Sequence, residues 1–434
     1  MRERLWKLWR QILWTWSPDS ERESSEAIVR NFWLHWFPAK VARASMDFPY
    51  SFWLGTASAV LFLILTVTGV MLMFFYVPST ERAYGSIKDL EFAVSFGRVL
   101  RNQHRWAAEG MVAVVFIHMA RVFFTAAYRG SRSFNWLVGV VLLLSTLLLS
   151  FTGYLLPWDQ LAFWAITVGT GIARQAPVLG ELIHFLLLGG HEIGQQTLLR
   201  FYVLHVFFLP LIAWVLIAYH MWRIRRDGGL AAIEPIRAAR RLAPREMPAA
   251  KSYSLFGLTP GTSVAVMSSV DLEERDQVLA SPNLTRRIAL VFLVVFNITL
   301  LASLVFNAPL EGAANRAITP NPAKAPWYFV WLQELVASTT VHLGSFTISG
   351  ALLGGMLVPG VLLAVLAVWP FLDRSPSTSE GVWFAPSRRR QNLIFAVLTA
   401  AIVTLIIVGV YLRGPYWRLY FPWSGGWPAM PTLF

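Results

Sequence analysis

Four histidines carry the strongest chemical signal in the chain: His104, His118, His205 and His220. The first two are 14 residues apart and the last two 15 apart, each pair in one apolar helix candidate. At about 1.5 Å rise per residue, each pair spans roughly 21 to 22 Å of helix and stays within about 60° of one face. One histidine from each helix can then grip each of two irons, which is what a four-helix membrane bundle needs to hold two stacked haems. Imidazole is expensive in hydrocarbon and survives there mainly as a ligand or relay group. The alternative, satisfied core histidines, requires two matched pairs in two membrane helices to be coincidence. Gly55 and Gly69, and Gly139 and Gly153, repeat the 14-residue period in two further helices. Glycine lets a flat macrocycle approach the backbone, although membrane helices also use small residues simply to pack closely.

The elements that position these residues are membrane helices. The 434-residue chain is 56% hydrophobic and only 14% charged, with 20 Trp and 30 Phe, more apolar surface than a soluble domain can hide. Seven stretches are long and apolar enough to cross a bilayer: about Phe52 to Tyr76, Ala107 to Thr125, Trp136 to Leu156, Phe201 to Trp222, Ile288 to Phe306, Leu343 to Leu372 and Leu393 to Leu412. The chain has no cysteine. That excludes Cys-ligated clusters and any covalent c-type haem on this chain. The first 50 residues interleave Arg2, Arg4, Lys7 and Arg10 with Trp6, Trp9, Trp14 and Trp16. This is no secretory signal, and it suits either a helix lying on the membrane face or an amphipathic cap on the bundle.

Lysine and arginine set the orientation. With the N-terminus cytoplasmic, 26 of them lie on that side and 11 on the other, so the N-terminus is expected inside and the C-terminus outside. The net charge of +13 then reflects topology and anionic lipid, and nucleic acid is a poor partner for it. The second and fourth spans both run inward. His104 and His205 therefore meet near the outer face and His118 and His220 near the inner one, a wire across the membrane.

The stretches Gln103-His104-Arg105-Trp106, Ile117-His118 with Arg121 downstream, Thr152-Gly153-Tyr154-Leu155-Leu156-Pro157-Trp158-Asp159-Gln160 and Arg200-Phe201-Tyr202-Val203-Leu204-His205 carry a family resemblance. From about residue 30 to about 230 the chain resembles the cytochrome b of quinol:cytochrome c oxidoreductases, and in particular cytochrome b6, whose type the 15-residue spacing matches. Residues 283 to 434 resemble the three-helix subunit IV that accompanies cytochrome b6, here on the same polypeptide. The expected fold is an all-α integral membrane protein of seven transmembrane helices, a four-helix dihaem bundle plus a three-helix C-terminal part. Its organisation is a cytoplasmic N-terminal arm (1–50), the dihaem domain (51–222), a cytoplasmic linker (223–287) rich in Arg, Ala, Pro and Ser, and the subunit IV-like part (288–434).

The resemblance implies two quinone pockets and two non-covalent b-type haems. It builds the outer, quinol-oxidising pocket from Trp158 and Asp159 after the third span and from Pro326, Trp327 and Tyr328 in the loop before the sixth. The family signature in that loop is Pro-Glu-Trp-Tyr, whose glutamate is thought to take a quinol proton. Here the sequence is Ala325-Pro326-Trp327-Tyr328, so the glutamate is absent. Quinol oxidation releases two protons, and each needs an acceptor within hydrogen-bond reach. Glu334, about two helical turns beyond Trp327, is a candidate replacement with Tyr328 helping to place the quinol; a structural carboxylate is the alternative. Proline in this loop accompanies some lower-potential chains in the family, which points to menaquinol over ubiquinol.

Candidates for the inner, quinone-reducing pocket are Arg223, Asp227, Asp47 and Arg43. Arg105, Arg121 and Arg200 end haem-bearing helices, where guanidinium groups pair with propionates or simply anchor the span. The third, cysteine-linked haem of cytochrome b6 has no counterpart, and Trp53 occupies the matching position. His35, His184, His191 and His342 fit structural or surface roles, His184 and His191 on the outer face where a partner docks.

The function implied is a Q-cycle. Quinol gives one electron to a Rieske iron–sulfur protein and the other crosses the two haems to quinone. The Rieske protein and a c-type cytochrome come from partner subunits, in a homodimeric multisubunit complex of a bacterial inner membrane, C-terminus periplasmic. A second reading is a dihaem electron relay linking a dehydrogenase to the quinone pool without bifurcation. A transporter is disfavoured, because the spans hold few acids apart from Glu109.

Overall fold

The computed structural model describes residues 40–227, 229–230, 277–376 and 379–423. The tryptophan-rich arm up to residue 39, with His35, and most of the expected linker lie outside the described residues. Eleven helices of nine residues or more organise the described residues: α1 (Leu54–Met73), α2 (Ala83–Phe92), α3 (Gly97–Phe124), α4 (Ser133–Tyr154), α5 (Gln160–Arg174), α6 (Gly180–Leu188), α7 (Gln195–Arg226), α8 (Ala280–Val305), α9 (Trp327–Ser338), α10 (Ala351–Leu372) and α11 (Pro386–Leu412). Two antiparallel two-stranded ribbons complete it, β1 (Lys40–Ala42) with β2 (Gln277–Leu279) and β3 (Val341–Leu343) with β4 (Phe346–Ile348).

The long apolar helices α1, α3, α4, α7, α8, α10 and α11 correspond to the seven expected spans, and each is long enough to cross a membrane. They are apolar nearly all round, as helices in lipid must be. Leu211, Ile212, Val215, Leu290, Leu293, Val361 and Val397 face outward. The spans differ from expectation at their ends. α3 starts at Gly97, so its first three turns carry Arg101, Asn102 and Gln103 ahead of His104. The sixth begins at Ala351 instead of Leu343, because Val341–Ile348 forms the β3–β4 hairpin, turning at Gly344 with φ +63°.

Apolar packing divides the bundle into layers. In its middle, Val60, Leu61, Phe62 and Ile64 of α1 pack on Ala107 and Met111 of α3 and Ala213 of α7. Toward the His104 end, Leu155, Trp158, Ile166, Leu188, Leu198 and Phe201 bury one another. Toward the His118 end, Phe123, Tyr128, Trp136 and Val140 meet Leu363, Leu366, Trp369 and Phe395 of the last two helices. Polar staples fix the C-terminal helices to this frame. Asn102 donates to Ser303 O (3.0 Å) and accepts from Ala308 N (2.8 Å), while Arg101 donates to Ala308 O (2.9 Å) and Pro309 O (2.7 Å). Buried Arg388 and Asp373 pair at 3.3 Å, and Tyr128 donates to Asp373 at 2.6 Å.

Candidate functional site

The four histidines meet in two pairs, one toward each end of the α1–α3–α4–α7 bundle. His104 of α3 and His205 of α7 face each other with ring centroids 6.3 Å apart and planes at 77°. Two metal–imidazole bonds of about 2 Å each, plus roughly 1 Å from ring centre to nitrogen on either side, span about 6 Å. The separation therefore suits one iron between the two rings. At the other end His118 lies within electrostatic reach of His220.

The 14- and 15-residue spacings are reconciled by backbone geometry. Residues Leu204–Phe208 of α7, which include His205, form a π-helical turn. A π-turn absorbs one extra residue in an α-helix. The longer spacing in α7 thus keeps step with the shorter one in α3.

Each of the four periodic glycines lies against one histidine ring. A Cβ on Gly69 would meet His104 Cε1 at 3.2 Å and one on Gly55 would meet His118 Cε1 at 3.1 Å; α1 runs antiparallel to α3. On α4, Gly153 faces His205, with a Cβ at 2.5 Å from Cε1, and Gly139 faces His220 at 3.7 Å. The glycines clear room for the imidazoles themselves, which the period alone did not reveal.

Two threonines next to these glycines distinguish the ends. Thr68 Oγ1 lies 2.8 Å from His104 Nδ1 and Thr152 Oγ1 3.1 Å from His205 Nδ1. Each hydroxyl donates its own proton to the backbone, to Ile64 O at 2.7 Å and Leu148 O at 2.9 Å. It therefore accepts from Nδ1–H, which fixes the tautomer and leaves Nε2 free to bind a metal. The preceding residues at the other end are Leu54 and Val138, and His220 faces the Asn135 backbone there without a hydroxyl on its Nδ1.

Cationic side chains flank both pairs with buried donor atoms left over. Arg105 pairs with Glu109 (2.8 Å) and lies over the Tyr154 ring at 5.8 Å, its Nε unpartnered. At the other end Arg121 donates to Tyr50 O (3.1 Å) and covers the Tyr50 ring at 4.3 Å, the guanidinium and the Tyr50 hydroxyl lying side by side without a well-aligned hydrogen bond. Buried donors without partners are rare unless an anion meets them. Together with the histidine spacing, they fit a haem with its propionates at each end. Arg200 differs: its side chain is exposed and lies against Gly189.

The loop segments come together at the His104 end. Asp159 caps α5 by accepting from Ala162 N (2.8 Å) and accepts from Glu311 N (3.1 Å), and Trp158 O accepts from Ala314 N (3.2 Å). Gln160 adds bonds to Gly312 O (2.8 Å) and Asn315 N (2.7 Å). This segment clasps the loop that leads to α9. Burial pushes the Asp159 carboxyl above its usual range, against the pull of its backbone donors and of Arg101 and Arg105. Pro326 starts α9, and Tyr328 is buried between Trp327 and Phe329. Burial also raises the Tyr328 phenol, which Glu109 reinforces and Arg105 opposes, so it stays a neutral hydroxyl.

Glu334 does not join Trp327. It is buried on α9, where Arg413 grips both carboxylate oxygens and Trp417 Nε1 donates to Oε2 at 2.9 Å. The helical reach of two turns is there, but the side chain is committed to the C-terminal segment. The carboxylate that does meet Trp327 is Glu109 of α3: Trp327 Nε1 donates to its Oε2 at 2.7 Å.

The remaining candidates are dispersed. Arg223 and Asp227 form an i,i+4 pair at 2.9 Å near the His118 end, with Arg223 also on Ser131 O (3.0 Å); Arg43 and Asp47 are exposed on the same side of the chain's start. Trp53 opens α1 in a left-handed conformation, φ 55°. His184 and His191 line a cleft of about 420 Å³ with Arg174, Glu181 and Phe185, away from the histidine pairs. His342 sits on the β3–β4 hairpin, bonded to Thr347 (3.0 Å). Residue types alone do not reveal the roles of Thr68, Thr152, Arg101 and Asn102; the Thr-Gly step shared by α1 and α4 is the available signal for the first two.

Comparison with known proteins identifies the family of the chain. Residues 41–228 match the family Cytochrome b/b6/petB and residues 313–420 match Cytochrome b(C-terminal)/b6/petD. The chain is 40% identical over 177 residues to cytochrome b6 of Heliomicrobium gestii, covering 41% of this chain and 83% of that one. It is 40% identical over 175 residues to cytochrome b6 of Prochlorococcus marinus (strain MIT 9313), covering 40% and 80%. Among solved structures it is similar to a chain of a hyperthermophilic respiratory Complex III, with TM-score 0.64, 25% identity and 86% of each chain covered.

Proposed function

The chain belongs to the cytochrome b/b6 family, and from that premise we propose that it is the dihaem cytochrome b subunit of a membrane quinol:cytochrome c oxidoreductase of the Rieske type. It is an integral membrane subunit of a b6-type, complex III-like redox complex, and its family carries b-type haem. The observation that carries the finer reading is the facing of His104 and His205 at 6.3 Å, with His118 and His220 near each other at the opposite end.

In this reading His104 and His205 hold a haem near the outer face, and His118 and His220 hold one near the inner face. When bound, the pair supplies a one-electron path across the membrane, with quinol oxidised outside and quinone reduced inside in a Q-cycle. Thr68 and Thr152 hold the outer ligands with Nε2 toward the metal; Arg105, Arg121 and Tyr50 meet propionates; Gly55, Gly69, Gly139 and Gly153 make space for the rings. The exposed position of Arg200 makes it an anchor of α7. At the outer pocket Pro326, Trp327 and Tyr328 line the quinol, with Tyr328 a neutral hydrogen-bond donor, while Trp158 and Asp159 position the loop and Glu334 ties α9 to Arg413. Arg223 and Asp227, with Arg43 and Asp47, are the inner-pocket candidates.

The chain divides into an arm of about 1–50, a dihaem domain of 51–222 whose last helix α7 runs on to Arg226, a linker that falls inside the expected 223–287 because α8 already starts at Ala280, and a C-terminal part of 288–434. The N-terminus is cytoplasmic, the C-terminus periplasmic, and menaquinol the preferred donor. Partners are a Rieske iron–sulfur protein and a c-type cytochrome within a homodimeric assembly. Purification of the intact complex tests this: acid-labile sulfide and quinol-dependent cytochrome c reduction are expected together. Haem without any iron–sulfur partner or quinol oxidation would replace the proposal with a simple electron relay.

A further inference from the structure

A carboxylate inside a membrane span is costly and persists mainly where it has work to do. Glu109 is such a group. It lies five residues beyond His104, about 7.5 Å along α3 and about 140° around it, so it leaves the histidine-bearing side and meets α9. Its Oε2 accepts from Trp327 Nε1 at 2.7 Å and its Oε1 pairs with Arg105 at 2.8 Å. Trp327 directly follows Pro326, the position at which the family motif carries its glutamate. A carboxylate is thus delivered to the same indole from a different helix.

We propose that Glu109 is the carboxylate that takes one of the two quinol protons at the outer pocket. The other carboxylates of this region do not meet Trp327: both Asp159 oxygens accept backbone N–H groups of α5 and the loop, Glu334 turns to Arg413 and Trp417 of the C-terminal segment, and Glu311 is exposed on the loop. The groups facing Glu109 are Arg105 on its own helix and Trp327 and Tyr328 on α9, with Tyr154 and Asp159 acting through Arg105. Arg105 and Trp327 hold the Glu109 carboxylate toward α9. A quinol hydroxyl becomes strongly acidic as its electron leaves, so a carboxylate within reach suffices as its acceptor.

The step balances as follows. One quinol O–H bond breaks and its proton goes to Glu109 Oε2, as one electron goes to the partner iron–sulfur protein. The second electron enters the haem path, and the second proton leaves to the outer aqueous phase. Protonation weakens both the Arg105 pair and the Trp327 bond, which frees the side chain to release its proton outward.

The inference rests on the proposed quinol oxidation, and the test separates the two. In the intact complex, Glu109→Gln is expected to keep both haem spectra and potentials while kcat falls on the order of 100-fold with KM little changed. The unsubstituted enzyme is expected to lose rate on acidification, and that dependence is expected to disappear in Glu109→Gln. Glu109→Asp, a shorter carboxylate, recovers part of the rate. Exposed Glu181→Gln leaves it unaltered. Full kcat and an unchanged pH profile in Glu109→Gln overturn the inference alone, whereas an unsubstituted complex that oxidises no quinol overturns the functional reading beneath it. Should neither Glu109 variant assemble, infrared difference spectra of the unsubstituted complex grown with ¹³C-carboxyl glutamate decide: a glutamate protonation band is expected on quinol turnover, and its absence overturns the inference.

Discussion

Gly153→Ala tests the histidine pockets most sharply, because the four glycines provide their own controls. A Cβ at position 153 would sit 2.5 Å from Cε1, 3.0 Å from Nε2 and 3.2 Å from Nδ1 of His205, where ordinary contact begins at 3.4 Å. The ring must therefore retreat by about 0.9 Å, against a metal–imidazole bond that tolerates only about 0.2 Å. Either the bond breaks or α7 shifts, and overpacking of this kind costs about 1–3 kcal/mol. That corresponds to roughly 5- to 150-fold weaker haem retention at the outer site. At Gly139 the same methyl would lie 3.7 Å from His220 and fits; Gly55 and Gly69, at 3.1 and 3.2 Å, are intermediate. Haem per chain and the outer-haem spectrum of the purified variants read the series. The expected order of damage is Gly153, then Gly55 and Gly69, then Gly139. Full retention of both haems in Gly153→Ala, or greater loss in Gly139→Ala, would refute the reasoning.

Other perturbations follow from the same geometry. Thr68→Val removes the acceptor of His104 Nδ1–H and makes the ligand less basic; the outer haem should rise by about 40 mV, the equivalent of a 1 kcal/mol hydrogen bond favouring oxidised iron, in potentiometric titration. A haem held by His118 and His220, which have no neighbouring threonine, should not move. Arg413→Met strands the buried Glu334 carboxylate and should destabilise the complex by about 3–5 kcal/mol, seen as a lower Tm. Asp373 is held below its usual range because hydrogen bonds from Tyr128 and Ser375, with Arg388, outweigh the opposing effect of burial. Its stabilisation is complete above the ordinary value of 3.8 and is lost as pH falls below it, so Tm should drop on acidification and less steeply in Asp373→Asn.

The parts legible in the sequence were those written as long periodic signals. Seven apolar runs marked seven spans, and the spacing of His104, His118, His205 and His220 marked the helices that bring them together. Polar starts hid the beginning of α3, because Arg101, Asn102 and Gln103 look like loop until their partners on α8 and in the loop just after it are seen. The π-turn at His205 leaves no compositional trace and shows itself only as one surplus residue of spacing. Glu334 was placed two turns from Trp327, a correct helical inference that said nothing about Arg413, 79 residues away. Glu109 stood out as an intramembrane acid, yet its meeting with Trp327 across 218 residues is a tertiary fact.

The central claim is that the two histidine pairs hold two haems in one chain. A potentiometric titration of the purified complex, followed in the haem bands with iron counted per chain, tests it most directly. Two one-electron components of distinct potential and two haems per chain are predicted, with the outer component lost selectively in His205→Leu and the inner in His220→Leu. A single haem, no haem, or two components indifferent to these substitutions would contradict the account.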